Sequence, residues 1–177
     1  MLYPKARVNI INAGISGDNA PNGNRRLERD ILPFHPDLTI VSYGLNDSNS
    51  GLDNMPKYVE ALQEIFTRLH DACSEVIFMT PNLMNTEISP HLSTQQLRPI
   101  AESCMKTQLD GILTQYLEAA KQTAADCSVT VCDLYRKWQT LSECGVRTTD
   151  LLSNHINHPT REMNWMAAYS LVECMFQ

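Results

Sequence analysis

Residues 38–47 read LTIVSYGLND, an apolar run that leads directly into a polar turn containing a glycine. The apolar run predicts a buried strand over 38–43, and the turn after it carries Gly44, Asn46 and Asp47. In open α/β sheets, ligands bind at the carboxyl ends of the strands. We therefore expect Asn46 to point into a site at that edge, with Gly44 and Asp47 in its supporting loop. The alternative is an Asx-turn, in which these side chains bond only to nearby backbone.

The rest of the chain repeats this alternation of strand and helix. Its apolar patterns predict further strands at 8–12, 75–80 and 128–133, and helices at 25–32, 56–69, 100–126, 134–141 and 160–176. The order βαβαβαβα is typical of a parallel sheet with helices on both faces. We expect a single α/β domain over residues 1–177, because this length leaves little room for two.

Composition excludes several classes of protein. A net charge of -6, a sequence pI near 5.3 and no basic stripe argue against nucleic-acid binding. No apolar run approaches the roughly 20 residues of a membrane span. The six cysteines form no C-x-x-C pair, so we expect free thiols. Together with the lack of a signal-peptide core in residues 1–7, they favour a cytoplasmic location.

A second polar loop lies at residues 14–18, GISGD. Gly17 would let a backbone N–H approach a ligand closely, as in an oxyanion hole; the alternative is a plain strand-to-helix turn. Ser16 between glycines is similar to a nucleophile elbow. However, the string is one residue short of G-x-S-x-G, so we place Ser16 in the supporting loop and do not expect it to be the nucleophile.

The third polar loop, residues 154–159, reads NHINHP. His158 is the candidate general base, since histidine is the usual base at neutral pH, and Pro159 could begin the last helix. One alternative is a solvated loop with incidental histidines. Another is a metal site formed by His155 and His158, with Asp150 as a third ligand.

In their order and spacing, the three loops resemble the SGNH hydrolases, also called the GDSL lipase/acylhydrolase family. Residues 12–18 look like the family's second block, with Gly17 as the oxyanion-hole glycine. Residues 44–47 look like the third, with Asn46 as the second donor, and His158 like the base of the last block. The resemblance spans nearly the whole chain. It implies a three-layer, flavodoxin-like fold and a serine esterase that hydrolyses carboxylic esters.

The resemblance also implies a small-molecule ester as substrate and no metal or organic cofactor. Acetylated carbohydrates and lipid esters are both candidate substrates. The alternative is a non-catalytic α/β module that binds a carbohydrate or other small ligand in the same cleft. Trp138 and Trp165 could stack on a sugar ring, but each falls within a predicted helix, which favours packing.

One departure from the family pattern is large. The sequence contains no Gly-Asp-Ser, and only seven residues precede the strand predicted at 8–12. A strand and its crossover helix take about 30 residues. We therefore expect the family's first strand and its serine to be absent. Met1 would then be an internal methionine, a misassigned start or a cloned truncation, and the 177-residue chain would be inactive or nearly so. The gap predicts either direct pairing of 8–12 with 38–43, or a homodimer that covers it.

The second departure concerns the acid that orients the base. Three residues before His158 stands His155, which cannot supply a carboxylate. The candidates that remain to hold the imidazole are Asp150, the side chain of Asn154, and a backbone carbonyl.

Overall fold

A computed structural model describes residues 7–176, and three strands of this part form one parallel sheet. The strands are β1 (Leu38–Val41), β2 (Glu75–Met79) and β3 (Thr130–Cys132), in the order β1-β2-β3. Leu38 pairs with Glu75, and Ile77 pairs with Thr130. Because the strands are parallel, the loops that follow them share one edge of the sheet. The predicted α/β class with a parallel sheet is confirmed.

Helices connect and cover the strands. They are α1 (Ala20–Asp30), α2 (Leu45–Ser48), α3 (Met55–Asp71), α4 (Arg98–Leu109), α5 (Ile112–Asp126), α6 (Leu134–Glu143) and α7 (Asn164–Met175). Short 3₁₀ helices lie at Leu32–Phe34, Leu52–Asn54, Gln95–Leu97 and Thr148–Leu151. No helix within residues 7–176 has both the length and the apolar character needed to cross a membrane.

The core consists of two apolar clusters. Val76 and Phe78 of β2 belong to the first, which also includes the buried face of α3. Met79 packs against the second, which contains the fully buried Trp138 of α6. Since neighbouring residues of a strand point to opposite faces, the two clusters cover both faces of β2. The packing role predicted for Trp138 is confirmed.

The prediction of a strand at 8–12 is wrong. Residues 8–12 have no ladder partner, and Val8 and Ile10 are 78% and 85% exposed. A strand requires a hydrogen-bonded neighbour, and within residues 7–176 nothing pairs with the outer edge of β1. Direct pairing of 8–12 with 38–43 is therefore also wrong. β1 is an edge strand with Leu38 and Ile40 exposed, and a homodimer covering that edge stays a prediction.

The single helix predicted over 100–126 is two helices, α4 and α5. Gly111 separates them with a left-handed φ of +71°, a conformation that glycine adopts without steric cost. Gln108, in the last turn of α4, accepts a hydrogen bond from the Met84 N–H at 3.0 Å. It also donates to the Tyr135 hydroxyl at 2.8 Å. That hydroxyl lies 2.9 Å from Thr114 Oγ1 on α5, so one tyrosine links the two helices across the break.

The last helix begins at Asn164, later than the predicted residue 160. Thr160 donates its N–H to the Leu151 carbonyl at 2.9 Å, and its Oγ1 accepts from the Met163 N–H at 3.3 Å. Pro159 forms an isolated antiparallel bridge with Leu152 and does not start the helix. These bonds hold residues 159–163 as a turn between the 154–158 loop and α7.

Candidate active site

The first part of the candidate site is formed by residues 13–18 and 44–47, which we call the donor half. Gly17 has a left-handed φ of +74° and open space where a side chain would be. Within residues 7–176 its N–H has no hydrogen-bond partner. Asn19 then caps α1 by accepting the Asn22 N–H at 3.0 Å, so α1 begins at Ala20 and not at the predicted residue 25.

Asn46 reaches across the fold to the other loop of the donor half. Its Nδ2 donates to the Asp18 carbonyl at 2.8 Å, a contact between residues 28 positions apart. The side chain is therefore not confined to a local Asx-turn. This bond fixes the orientation of the amide beside the Gly17 loop. An amide nitrogen carries two hydrogens, so one Nδ2–H remains for a ligand.

Asp47 connects the turn after β1 to the start of α1. Its carboxylate is buried and accepts the Gly44 N–H and the Ala20 N–H, each at 2.9 Å. Burial raises the pKa of Asp47, although the bonds from Ala20 and Gly44 oppose that shift. Asp47 therefore holds the backbone of the site in place.

Gly44 is the one residue type that fits its position. Its φ is +123°, and an added Cβ would lie 2.8 Å from Leu117 Cδ2 and 3.0 Å from the Tyr58 hydroxyl. The turn that carries Asn46 therefore packs directly on α3 and α5. Both the conformation and the close contacts require glycine.

Sequence reasoning missed Arg26, which fixes the other loop of the donor half. Its Nε donates to Asp18 at 2.7 Å and its Nη1 to the Ala13 carbonyl at 2.7 Å. Its Nη2 lies 3.3 Å from the Tyr43 hydroxyl, whose pKa is raised by burial. The Arg26 side chain is only 13% exposed, and a nearly buried cation must be paired. The available sequence signal was an arginine among the inward-facing positions of α1, next to Leu27.

The second part consists of residues 154–158 with Asn82 and Asn85, which we call the histidine half. Asn154 Oδ1 accepts three backbone N–H groups, from Ile156, Asn157 and His158, each at 3.0 Å. Its Nδ2 donates to Asn157 Oδ1 at 3.0 Å. Asn154 therefore holds the backbone of His158 and makes no contact with its imidazole.

The histidine half is attached to the loop that follows β2. Asn82 Nδ2 donates to the Asn157 carbonyl at 3.0 Å, and the Asn85 N–H donates to the Ile156 carbonyl at 2.7 Å. Ile156 is buried in the second apolar cluster. Because β1 and β2 are neighbouring parallel strands, the donor half and the histidine half lie at the same edge of the sheet.

His158 itself is exposed, and within residues 7–176 no hydrogen bond reaches its ring nitrogens. Asp150 lies beside Arg147 Nε at 3.5 Å and makes no bond to His158. The structure thus brings neither Asp150 nor the Asn154 side chain to the imidazole. In the described part of the chain, His155, His158 and Asp150 do not form a group that could hold a metal ion.

His155 has an unusual environment. Its φ is +55°, a left-handed conformation that is uncommon for residues other than glycine, although asparagine, aspartate and histidine adopt it more often than most. Its Nδ1 is buried without a hydrogen-bond partner among residues 7–176. Its ring centroid lies 6.0 Å from that of His91.

A small cavity adjoins the donor half. Its volume is about 160 Å³, well below the roughly 300–1,000 Å³ of pockets that hold drug-sized ligands. The cavity is lined by Asn19, Pro21, Asp47, Ser50, Asn54, Lys57 and Tyr58. It can therefore receive a small group only.

Residues 2–166 match the GDSL-like lipase/acylhydrolase family, and the chain belongs to that family. The matched residues include the loops of both halves. The resemblance inferred from the three loops is confirmed, and the family consists of esterases and acylhydrolases.

An arylesterase of Vibrio mimicus is 33% identical over 73 residues, which cover 41% of this chain and 36% of the arylesterase. The match therefore spans little more than a third of that relative. Among solved structures, a catalytic mutant of Axe2, an acetylxylan esterase from Geobacillus stearothermophilus, superposes with a TM-score of 0.75 at 18% identity. The superposition covers 98% of this chain and 75% of the acetylxylan esterase chain. BT4096, a gut microbial diltiazem-metabolizing enzyme, superposes with a TM-score of 0.76 at 19% identity. That superposition covers 97% of this chain and 40% of the BT4096 chain. At such identities the two structures show the fold alone.

Proposed function

We propose that this chain supplies the oxyanion donors and the general base of a serine esterase that hydrolyses carboxylic esters. The observation that carries the proposal is the bond from Asn46 Nδ2 to the Asp18 carbonyl. This bond uses one hydrogen of Asn46 Nδ2 and fixes the amide group, which leaves the second hydrogen available in the same loop region as the unpaired Gly17 N–H. Two fixed donors of this kind match the needs of a developing oxyanion. Membership of the esterase family supports the same conclusion.

In the proposed reaction, a serine hydroxyl attacks the ester carbonyl while His158 takes its proton. The carbonyl oxygen becomes an anion that the Gly17 N–H and the Asn46 amide stabilise. His158 then passes the proton to the leaving alcohol, and water releases the acid by the same steps. The 177 residues contain no Gly-Asp-Ser, so in this proposal the nucleophile is not part of the chain.

The test compares the 177-residue chain with a version extended by the residues encoded upstream in frame. We expect the short chain to hydrolyse p-nitrophenyl acetate no faster than buffer, and the extended chain to be an active esterase. In the extended chain, Asn46→Ala should lower kcat about 100- to 1,000-fold, because an oxyanion donor is lost, and His158→Ala should abolish activity. Enzymatic rates from the short chain would overturn the absence of the nucleophile, and activity of the extended chain that survives His158→Ala would overturn the role of His158.

A second candidate is a non-catalytic module that binds a carbohydrate or another small ligand in the same cleft. The observation that favours it is the exposed His158 ring, which has no orienting partner within residues 7–176. A general base normally has such a partner. Calorimetry with acetylated xylo-oligosaccharides separates the two: binding without turnover in the extended chain supports the module, and turnover excludes it.

A further inference from the structure

Helix α7 has an outer face that is unusually aromatic. Trp165 and Tyr169 are each 67% exposed, with ring centroids 6.3 Å apart. The opposite face of α7 is attached to the protein: Met163, Met166 and Ala167 pack against the second apolar cluster, and Ser170 is buried. The two rings therefore form part of a surface that the rest of the described chain leaves uncovered.

Charged residues stand at both ends of this aromatic pair. Arg161, Trp165, Tyr169 and Glu173 follow one another at intervals of four residues, and we call this row the α7 ridge. Residues four apart lie on the same side of a helix. Arg161 precedes α7, but the Asn164 N–H donates to the Thr160 carbonyl at 3.2 Å, so this turn already has helical spacing.

The ends of the ridge have opposite charge and both are accessible. Arg161 is exposed and has no ion pair within residues 7–176. The Glu173 side chain is 58% exposed and bonds to Lys137 of α6 through one oxygen, Oε2. The order along the ridge is cation, aromatic, aromatic, anion.

We propose that α7 is the contact surface of a homodimer, in which the α7 ridges of two copies pair antiparallel about a two-fold axis. Reversing the ridge places Arg161 opposite Glu173 of the second copy and Trp165 opposite Tyr169. Each of these two contacts is then made twice, as an isologous interface requires. This self-complementarity of charge favours a second copy of the chain as the partner.

The expected affinity is modest. Each aromatic side chain contributes about 150–250 Å² when fully buried. Because two-thirds of each is exposed, the two together offer roughly 200–330 Å² per copy. With the flanking residues, we expect the dimer to bury about 800–1,000 Å² in total, below the roughly 1,200–2,000 Å² of stable complexes. The dissociation constant should therefore be micromolar.

The test is the oligomeric state of charge-reversed variants, measured by sedimentation velocity over a dilution series. The unaltered chain should be a dimer that dissociates on dilution. Arg161→Glu alone and Glu173→Arg alone should each be monomeric, because each places like charges opposite each other twice. An equimolar mixture of the two variants should dimerise again, and so should the chain that carries both substitutions.

Glu60→Arg is the matched control, since Glu60 is an exposed acid on α3 and not on α7; it should dimerise as the unaltered chain does. Unchanged circular dichroism and melting temperature will show that the variants are folded, as expected for exposed positions. The proposal is overturned if the unaltered chain is monomeric throughout the series. It is also overturned if either single variant still dimerises alone, or if the mixture stays monomeric.

Discussion

The donor half and the histidine half are both held by hydrogen bonds from side chains to backbone, but over different distances along the chain. Asn46 and Asp47 bond to residues 28 and 27 positions away. Asn154 makes its four bonds within the four residues that follow it. The donor half therefore depends on the whole fold, whereas the histidine half is a local unit resting on the loop after β2. Substitutions in the first should change global stability, and substitutions in the second should change local opening.

Asp47→Ala should have the largest effect. It leaves the N–H groups of Gly44 and Ala20 without their acceptor in a buried place. We expect the free energy of unfolding to fall by about 3–5 kcal/mol, since each unpaired buried group costs about 1–3 kcal/mol. Urea denaturation measures this. The exposed Asp53 provides the control, because Asp53→Ala should change the value by less than about 0.5 kcal/mol.

Gly44→Ala should follow, with a loss of about 3 kcal/mol. Part of this is backbone strain of about 1–3 kcal/mol, and part is the contact of the new methyl group with Leu117 and Tyr58. Gly51→Ala is the control, and it should lose stability through backbone strain only. Gly51 has a φ of +76°, and an added methyl group there would meet open space. Equal losses for both variants in urea denaturation would show that the turn does not pack as described.

Asn154→Ala should have a smaller and local effect. Three backbone N–H groups lose their acceptor, but the loop is near the surface and water can replace it. We expect amide exchange at residues 156–158 to become about 10- to 30-fold faster, with the global free energy of unfolding nearly unchanged. Hydrogen exchange read by mass spectrometry measures the first quantity and urea denaturation the second. A global loss as large as that of Asp47→Ala would contradict the distinction between the two halves.

His155→Asn should have the smallest effect, a gain of about 0.5–1 kcal/mol. Asparagine tolerates the left-handed conformation better, and the substitution removes the unpaired buried Nδ1. His35 has a φ of +45° but is exposed, so His35→Asn tests the conformational part alone. Thermal melting should rank His155→Asn above His35→Asn. The reverse order would mean that the His155 ring contributes packing that outweighs its unpaired nitrogen.

The strands β1, β2 and β3 and the α/β class could be predicted, because apolar runs of strand length that alternate with helical patterns indicate buried strands from local sequence alone. The strand at 8–12 could not be judged in the same way. Val8, Ile10 and Ile11 are apolar and β-branched, but a strand depends on a neighbour that no local pattern reveals. The helix break at Gly111 was also hidden, because the apolar spacing continues through it and a single glycine is tolerated within helices.

The candidate residues were found from residue type, but their contacts were not. Asn46 could be predicted to face a site, yet its bond to Asp18 and the roles of Asp47 and Arg26 depend on residues far away in the chain. Asn154 was considered as a partner of the His158 ring, and it holds the His158 backbone. Trp165 was expected to pack within the protein and is exposed, because a helical pattern shows which residues share a face and not which face is covered.

The break between α4 and α5 also has a mechanical consequence. Gln108 is joined both to the loop after β2 through Met84 and to α6 through Tyr135. The same loop supports the histidine half through Asn82 and Asn85. Through a single amide, Gln108 therefore ties α6 to the loop that supports the backbone of His158.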